Sequence, residues 1–147
     1  MSQIETVTIR VPGSTSNCGA GFDTLGMAVN VSNAVKVSRV AGSAKPQPVR
    51  ESDARAQEMV TAAAALYFKT TGLPAFGFTY QIDGDVPPAR GLGSSVTVRA
   101  GIIAALDVLA DTKLTPPQIV ALVTELEGHP DNAASSILGG FCVARSD

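Results

Sequence analysis

The stretch from Phe76 to Leu109 constrains this chain most, because its backbone period changes there within a few residues. Phe76, Phe78, Tyr80 and Ile82 alternate with other residues, the period-two pattern of a strand with one buried side. The proline-rich Val86-Pro87-Pro88-Ala89-Arg90 follows, then Gly91-Leu92-Gly93-Ser94-Ser95. After it, Val98, Ile102, Ala105 and Leu109 share one face of a helix running from Ser94 to about Leu109. A strand, a glycine-rich loop and a helix therefore occur in that order. The first N–H groups of a helix lack intrahelical partners and sit at the positive end of its dipole. Glycines let a ligand approach the backbone with no Cβ in the way. Two readings fit. The segment is a turn followed by a serine N-cap, or it is a cradle for a polyphosphate. It is no Walker A loop, since GxxxxGK[ST] is absent and no lysine opens the helix. In the cradle reading, Ser94 and Ser95 reach a phosphate oxygen or a Mg2+ ion. Arg90 either adds charge there or is solvated.

The remainder of the chain supplies elements around this unit. Ile4, Val7, Ile9 and Val11 predict a first strand ending at Pro12, and the valines between 28 and 40 predict a second strand or hairpin. Ser52 is a candidate cap for a helix through Met59 to Lys69 that stops at Gly72. Its Ala62–Ala65 run suits close packing on a sheet. Thr115 with Pro116 opens another helix, which ends near Glu127-Gly128. A short helical turn is expected at Asn132 to Leu138, and a last strand at Phe141 to Ala144. Strands and helices do not alternate regularly, so the fold class is α+β.

A length of 147 residues suffices for one core. A net charge of −2 argues against a nucleic-acid partner, which calls for a basic face. Met1 to Glu5 has no secretory signal character, and the Ala100 to Ala110 run is too short to span a bilayer. Cys18 and Cys142 are isolated, which fits a reducing cytoplasm.

Two further segments carry polar chemistry. The first runs from Pro12 to Gly26 and holds Asn17 and Asp23 among four glycines. It reads either as the lining of a small polar pocket, with Asp23 facing an ammonium group, or as an Asx-rich turn. The second is Glu125 to Asn132. Glu127 ends a helix where a carboxylate opposes the dipole, a cost that a nearby cation would offset. His129 is the single histidine of the chain, and it fits a structural role or a catalytic one. Asp131 fits a helix cap or a base.

Taken together, these segments resemble the N-terminal part of GHMP-type small-molecule kinases, and among them the homoserine kinases. The resemblance rests on Pro12, Ser14, Asn17, Gly19, Gly21, Phe22, Asp23 and Gly26, then Pro87 and Gly91–Ser95. It continues through Glu127-Gly128-His129-Pro130-Asp131-Asn132 and Leu138-Gly139-Gly140. It implies the ribosomal protein S5 domain 2-like fold, with residues 1–147 as one N-terminal ATP-binding domain and the family's second domain outside this chain. It implies ATP-dependent phosphorylation of the homoserine hydroxyl, a step toward threonine. Pro87 and Arg90 to Ser95 would hold ATP, Ser95 and Glu127 would hold Mg2+, and Asn17, Asp23 and His129 would contact homoserine. Asn132 stands where many superfamily members carry a catalytic aspartate, so transfer would proceed without a dedicated base. Met59 to Tyr67 is a plausible wall for the adenine. Two alternatives remain open: a nucleotide-binding domain without turnover, and another GHMP small-molecule kinase. An isolated first domain would also expose apolar surface, so a homo-oligomer is expected.

Overall fold

A computed structural model describes residues 5–15, 25–88, 91–128, 131–139 and 141–143. Val7, Ile9 and Val11 alternate with Thr6, Thr8 and Arg10 and form strand β1 (Thr6–Thr15). It pairs antiparallel with β2 (Leu25–Val40), a single strand of sixteen residues. The short β3 (Pro46–Pro48) runs parallel to β4 (Gly77–Gly84), and β4 runs antiparallel to the second half of β2. The last strand, β5 (Phe141–Val143), pairs with the start of β2. The order is β1-β2-β4-β3, with β5 beside β2 off this path. The sheet is mixed and the fold is α+β, as expected from the irregular order of strands and helices.

Register sets Val7 beside Val37 and Val37 beside Tyr80, then Ile9 beside Val35 and Val35 beside Ile82. The alternate row, Thr8, Lys36 and Gln81, is polar. One face of the sheet is thus apolar and carries the helices. These are α1 (Gln57–Thr71), α2 (Ser94–Ala110), α3 (Pro116–Glu127) and α4 (Asp131–Leu138). Helix α2 packs against β1, β2, α1, α3 and α4. Ile102, Ile103, Ala105 and Leu106 in it are fully buried. Burial of each of the two isoleucines and of the leucine contributes roughly 1.5–3 kcal/mol. The face predicted from Val98, Ile102, Ala105 and Leu109 is one of several buried faces, because α2 is enclosed by helices as well as by the sheet. It lies close to the sheet at Gly101, where a Cβ would lie 2.5 Å from Cγ2 of Val35.

Several predicted boundaries hold for the expected reason. Gly72 ends α1 in the left-handed region (φ 73°), and Gly128 ends α3 in the same way. Thr115 caps α3 by accepting a hydrogen bond from the Gln118 N–H. Others differ. β1 does not end at Pro12 but runs on to Thr15, with a register shift between Pro12 and Ser14. Proline is tolerated there because, among the described strands, β1 pairs with β2 alone and the ladder is already irregular. Ser52 is not a cap. A 3-10 turn, Glu51–Ala56, precedes α1, and Asp53 accepts from the Arg50 N–H at 3.1 Å. Within Ala62–Ala65 only Ala63 and Ala64 are buried, since the helical period turns the outer pair to solvent. Among the described residues, no helix is long and apolar enough to cross a membrane.

Candidate functional site

The loop between β4 and α2 lies over the end of β1. Gly91 and Gly93 both adopt left-handed conformations, at φ 72° and 69°. Gly93 is the N-cap of α2, and among the described residues no side chain caps that end. The serine-cap reading is thereby excluded, because Ser94 is the first residue of the helix. Its first turn holds no acidic residue either. The Thr97 N–H bonds to Gly93 O at 3.0 Å, so the N–H groups of Ser94, Ser95 and Val96 precede the first intrahelical bond. A Cβ on Gly93 would come within 2.8 Å of Ser14 Oγ. Glycine is required there by both conformation and space.

Two buried polar residues hold this loop. The Ser14 N–H donates to Leu92 O at 2.9 Å, and Ser14 Oγ donates to Asn132 Oδ1 at 2.8 Å. Ser14 is fully buried and also accepts from Ser136 Oγ at 3.1 Å. One residue of β1 therefore joins the glycine loop to the start of α4. Asn33 of β2 holds the loop from its other side. Asn33 Nδ2 donates to Thr97 Oγ1 at 2.9 Å, and Asn33 Oδ1 accepts from the Val86 N–H at 3.3 Å. The chain leaving β4 and the first turn of α2 are thus fixed to the same strand.

Ser95 and Glu127 meet directly: Ser95 Oγ donates to Glu127 Oε1 at 2.9 Å. The cation beside Glu127 is Arg99, which bonds to Glu127 Oε2 and also donates to Leu126 O at 3.0 Å. The cost of a carboxylate at the end of α3 is therefore offset by Arg99, the kind of nearby cation the dipole argument asked for. A hydroxyl and one carboxylate still suit Mg2+, which keeps most of its shell as water and phosphate oxygens. Among the described residues there is no group of three or more His, Cys, Asp or Glu able to hold a metal by themselves.

A cavity of about 420 Å3 opens beside the loop, lined in part by Ala56, Met59, Ile82, Val86, Ser94 and Val98. Of the predicted wall from Met59 to Tyr67, only Met59 lines it. Tyr67 is fully buried elsewhere, with its hydroxyl 2.6 Å from Thr112 Oγ1. Asp53, 4% exposed, stands at the cavity's edge. Burial pushes its carboxyl up, but hydrogen bonds from Arg50 and the Ile82 N–H outweigh this and hold it below the usual carboxylate range.

Among the expected site residues, the structure brings together Gly91, Leu92, Gly93, Ser94, Ser95, Glu127 and Asn132, with half-buried Pro87 on the approach to the loop. Asn17, Asp23, Arg90 and His129 lie outside the described residues, as does the side chain of Asp131. Ser14, Asn33 and Arg99 were assigned no role from the sequence. Signals for two of them existed. Asn33 occupies the same alternation phase as Val35 and Val37, so it points into the core. Arg99 stands four residues after Ser95, hence on the same face of α2.

Comparison with known proteins gives a consistent picture. A homoserine kinase of Moorella thermoacetica is 37% identical over 145 residues, covering 95% of this chain and 48% of that protein. A homoserine kinase of Corynebacterium glutamicum (strain R) is 38% identical over 142 residues, covering 94% of this chain and 46% of that protein. The chain spans about half the length of the curated relatives it matches. The crystal structure of homoserine kinase from Cytophaga hutchinsonii shares the fold at a TM-score of 0.84, with 24% identity, over 99% of this chain and 50% of that one. Residues 58–140 match the family model described as GHMP kinases N terminal domain. That span includes the glycine loop, all of α2 and the Glu127–Asn132 segment, and the chain belongs to the GHMP kinase N-terminal domain family.

Proposed function

We propose that this chain is the nucleotide-binding part of a homoserine kinase, which transfers the terminal phosphoryl group of ATP to the side-chain hydroxyl of L-homoserine and yields O-phospho-L-homoserine and ADP. The observation that carries this reading is the start of α2, which has left-handed glycines before it, no side-chain cap, and a hydroxyl–carboxylate pair, Ser95 and Glu127, within 2.9 Å of each other. The N–H groups of Ser94, Ser95 and Val96 would bind phosphate oxygens with the dipole behind them. The neighbouring cavity suits a nucleoside in size and lining. Ser95 and Glu127 would hold Mg2+, which would supply neutralising charge to the phosphates. Asn17, Asp23 and His129 would bind homoserine.

Asn132 stands against the loop, and an amide cannot take up the hydroxyl proton as a carboxylate does. In this reading it orients the acceptor oxygen, and its own carbonyl is fixed by Ser14. Rate then comes from positioning and from preorganised N–H donors around the transferred group. No dedicated base takes part.

Calorimetry with MgATP, followed by an ADP-release assay with L-homoserine, tests the reading. Binding in the micromolar to millimolar range and homoserine-dependent ADP release are expected. Absence of ATP binding would sink it. ATP binding without release would leave a nucleotide-binding domain that lacks turnover. Release with mevalonate or a sugar in place of homoserine would move the chain to another branch of the family.

A further inference from the structure

Arg99 is one helical turn beyond Ser95 on α2 and shares its face. It bonds to Glu127 Oε2, while Glu127 Oε1 accepts from Ser95 Oγ at 2.9 Å. The two carboxylate oxygens thus have different partners, one a fixed cation and the other a hydroxyl. The side chains of Arg99 and Glu127 are only 19% and 10% exposed. At such a sheltered site charges act on one another with less screening than at an open surface. Arg99 also donates to Leu126 O, one of the last carbonyls of α3, so its position is held from two sides. Ser95 has one proton and two lone pairs. It can keep donating to Glu127 while a lone pair faces a metal.

We propose that Arg99 is a resident counter-cation of Glu127, which holds the carboxylate in place and lowers the site's affinity for a free divalent cation. Metal is then taken up together with nucleotide phosphates and not ahead of them. The inference rests on the reading of Ser95 and Glu127 as a metal pair. A guanidinium fixed on the carboxylate repels an incoming divalent ion, and the phosphates supply the negative charge that compensates. Without Arg99, Glu127 would stand at the negative end of α3 with no other ion-pair partner among the described residues, a situation a divalent ion relieves. Arg99 acts through Glu127 and is a positioning residue.

The test uses Mn2+ as the probe, with free Mn2+ followed by electron paramagnetic resonance and no nucleotide present. Arg99→Met should bind Mn2+ at least about tenfold more tightly than the wild type, from the loss of one nearby charge. Arg99→Lys, which keeps the charge, should stay close to the wild type. Adding Glu127→Gln to Arg99→Met should abolish the gain. A folded Arg99→Met with unchanged Mn2+ affinity would overturn the proposal, as would a gain that persists without Glu127. Should Arg99→Met fail to fold, Arg99→Gln carries the same expectation. In the wild type, Mn2+ should bind much more tightly with a non-hydrolysable ATP analogue than alone, and equal affinities would also overturn the proposal. If the wild type binds ATP equally well with and without Mg2+, the metal reading itself fails and Arg99 falls with it. If Mg2+ dependence holds and Arg99→Met leaves Mn2+ binding unchanged, only the role of Arg99 is lost.

Discussion

Helices α2 and α3 begin in opposite ways. α3 starts with a complete cap: Thr115 accepts from the Gln118 N–H, Gln118 Oε1 accepts from the Thr115 N–H at 2.8 Å, and proline occupies the first helical position. Its donors are largely satisfied by its own sequence. α2 starts from left-handed Gly93, with no side-chain cap hydrogen bond among the described residues and no acidic residue in its first turn. Local economy would favour a cap there, worth about 1 kcal/mol. The α2 start instead draws on distant residues, Ser14 and Asn33, which fix the loop; in the proposed reading its N–H groups are left to the phosphates. A helix start that gives up local satisfaction while being held rigidly by its surroundings has the character of a binding site. One that closes on itself contributes stability alone.

The largest effect that would break this contrast is expected at Gly93. Gly93→Val places a branched Cβ at a left-handed position and against Ser14, so ATP affinity should fall by about 100-fold, corresponding to roughly 3 kcal/mol of strain and lost contact. Calorimetry would show this, and wild-type affinity in the variant would mean that the loop is no cradle. Asn132→Ala should come next, with kcat for homoserine reduced by about tenfold to 100-fold and the KM for ATP little changed. Complete loss of activity would instead assign Asn132 an essential chemical role. At the capped start, Thr115→Ala should cost about 0.5–2 kcal/mol in urea denaturation and leave ATP binding untouched. A change in ATP affinity there would erase the distinction between the two helix starts.

The smallest effect concerns the turn leading into α1, which Asp53 caps. The Asp53 carboxyl is held below its ordinary value in the fold. Its contribution is therefore present above the unfolded pKa of about 4 and is lost as pH falls through the folded value. Asp53→Asn should lower the urea midpoint at pH 7, and the gap to wild type should narrow below about pH 4. A gap that stays constant with pH would show that the carboxylate charge plays no part.

Much of this was legible in the sequence because its causes are local. Gly72, Gly128 and Thr115 announce helix ends through backbone conformation and capping chemistry alone. The Gly91–Ser95 loop is legible for the same reason, although the sequence could not decide between cap and cradle. The serine-cap reading fails because residue 93, not residue 94, is the N-cap. The pairing of Ser95 with Glu127 was reached through the resemblance, since their spacing reveals nothing. Arg99 was missed because the dipole argument asks only for a cation and does not say which one. Ser14 and Asn33 act across strands, and their partners become visible only once register is known.

The bond between Ser14 and Asn132 joins residues 118 positions apart, and β5 closes onto β2 only with residues 141–143. Contacts so distant in sequence form slowly, because a long loop must close before they repay its entropy. During synthesis from the N-terminus, the glycine loop and α2 emerge well before α4, and Asn132 is not there to receive Ser14. The site thus matures late, and a nascent chain interrupted between Ala110 and Asp131 would carry an incomplete version of it on the ribosome.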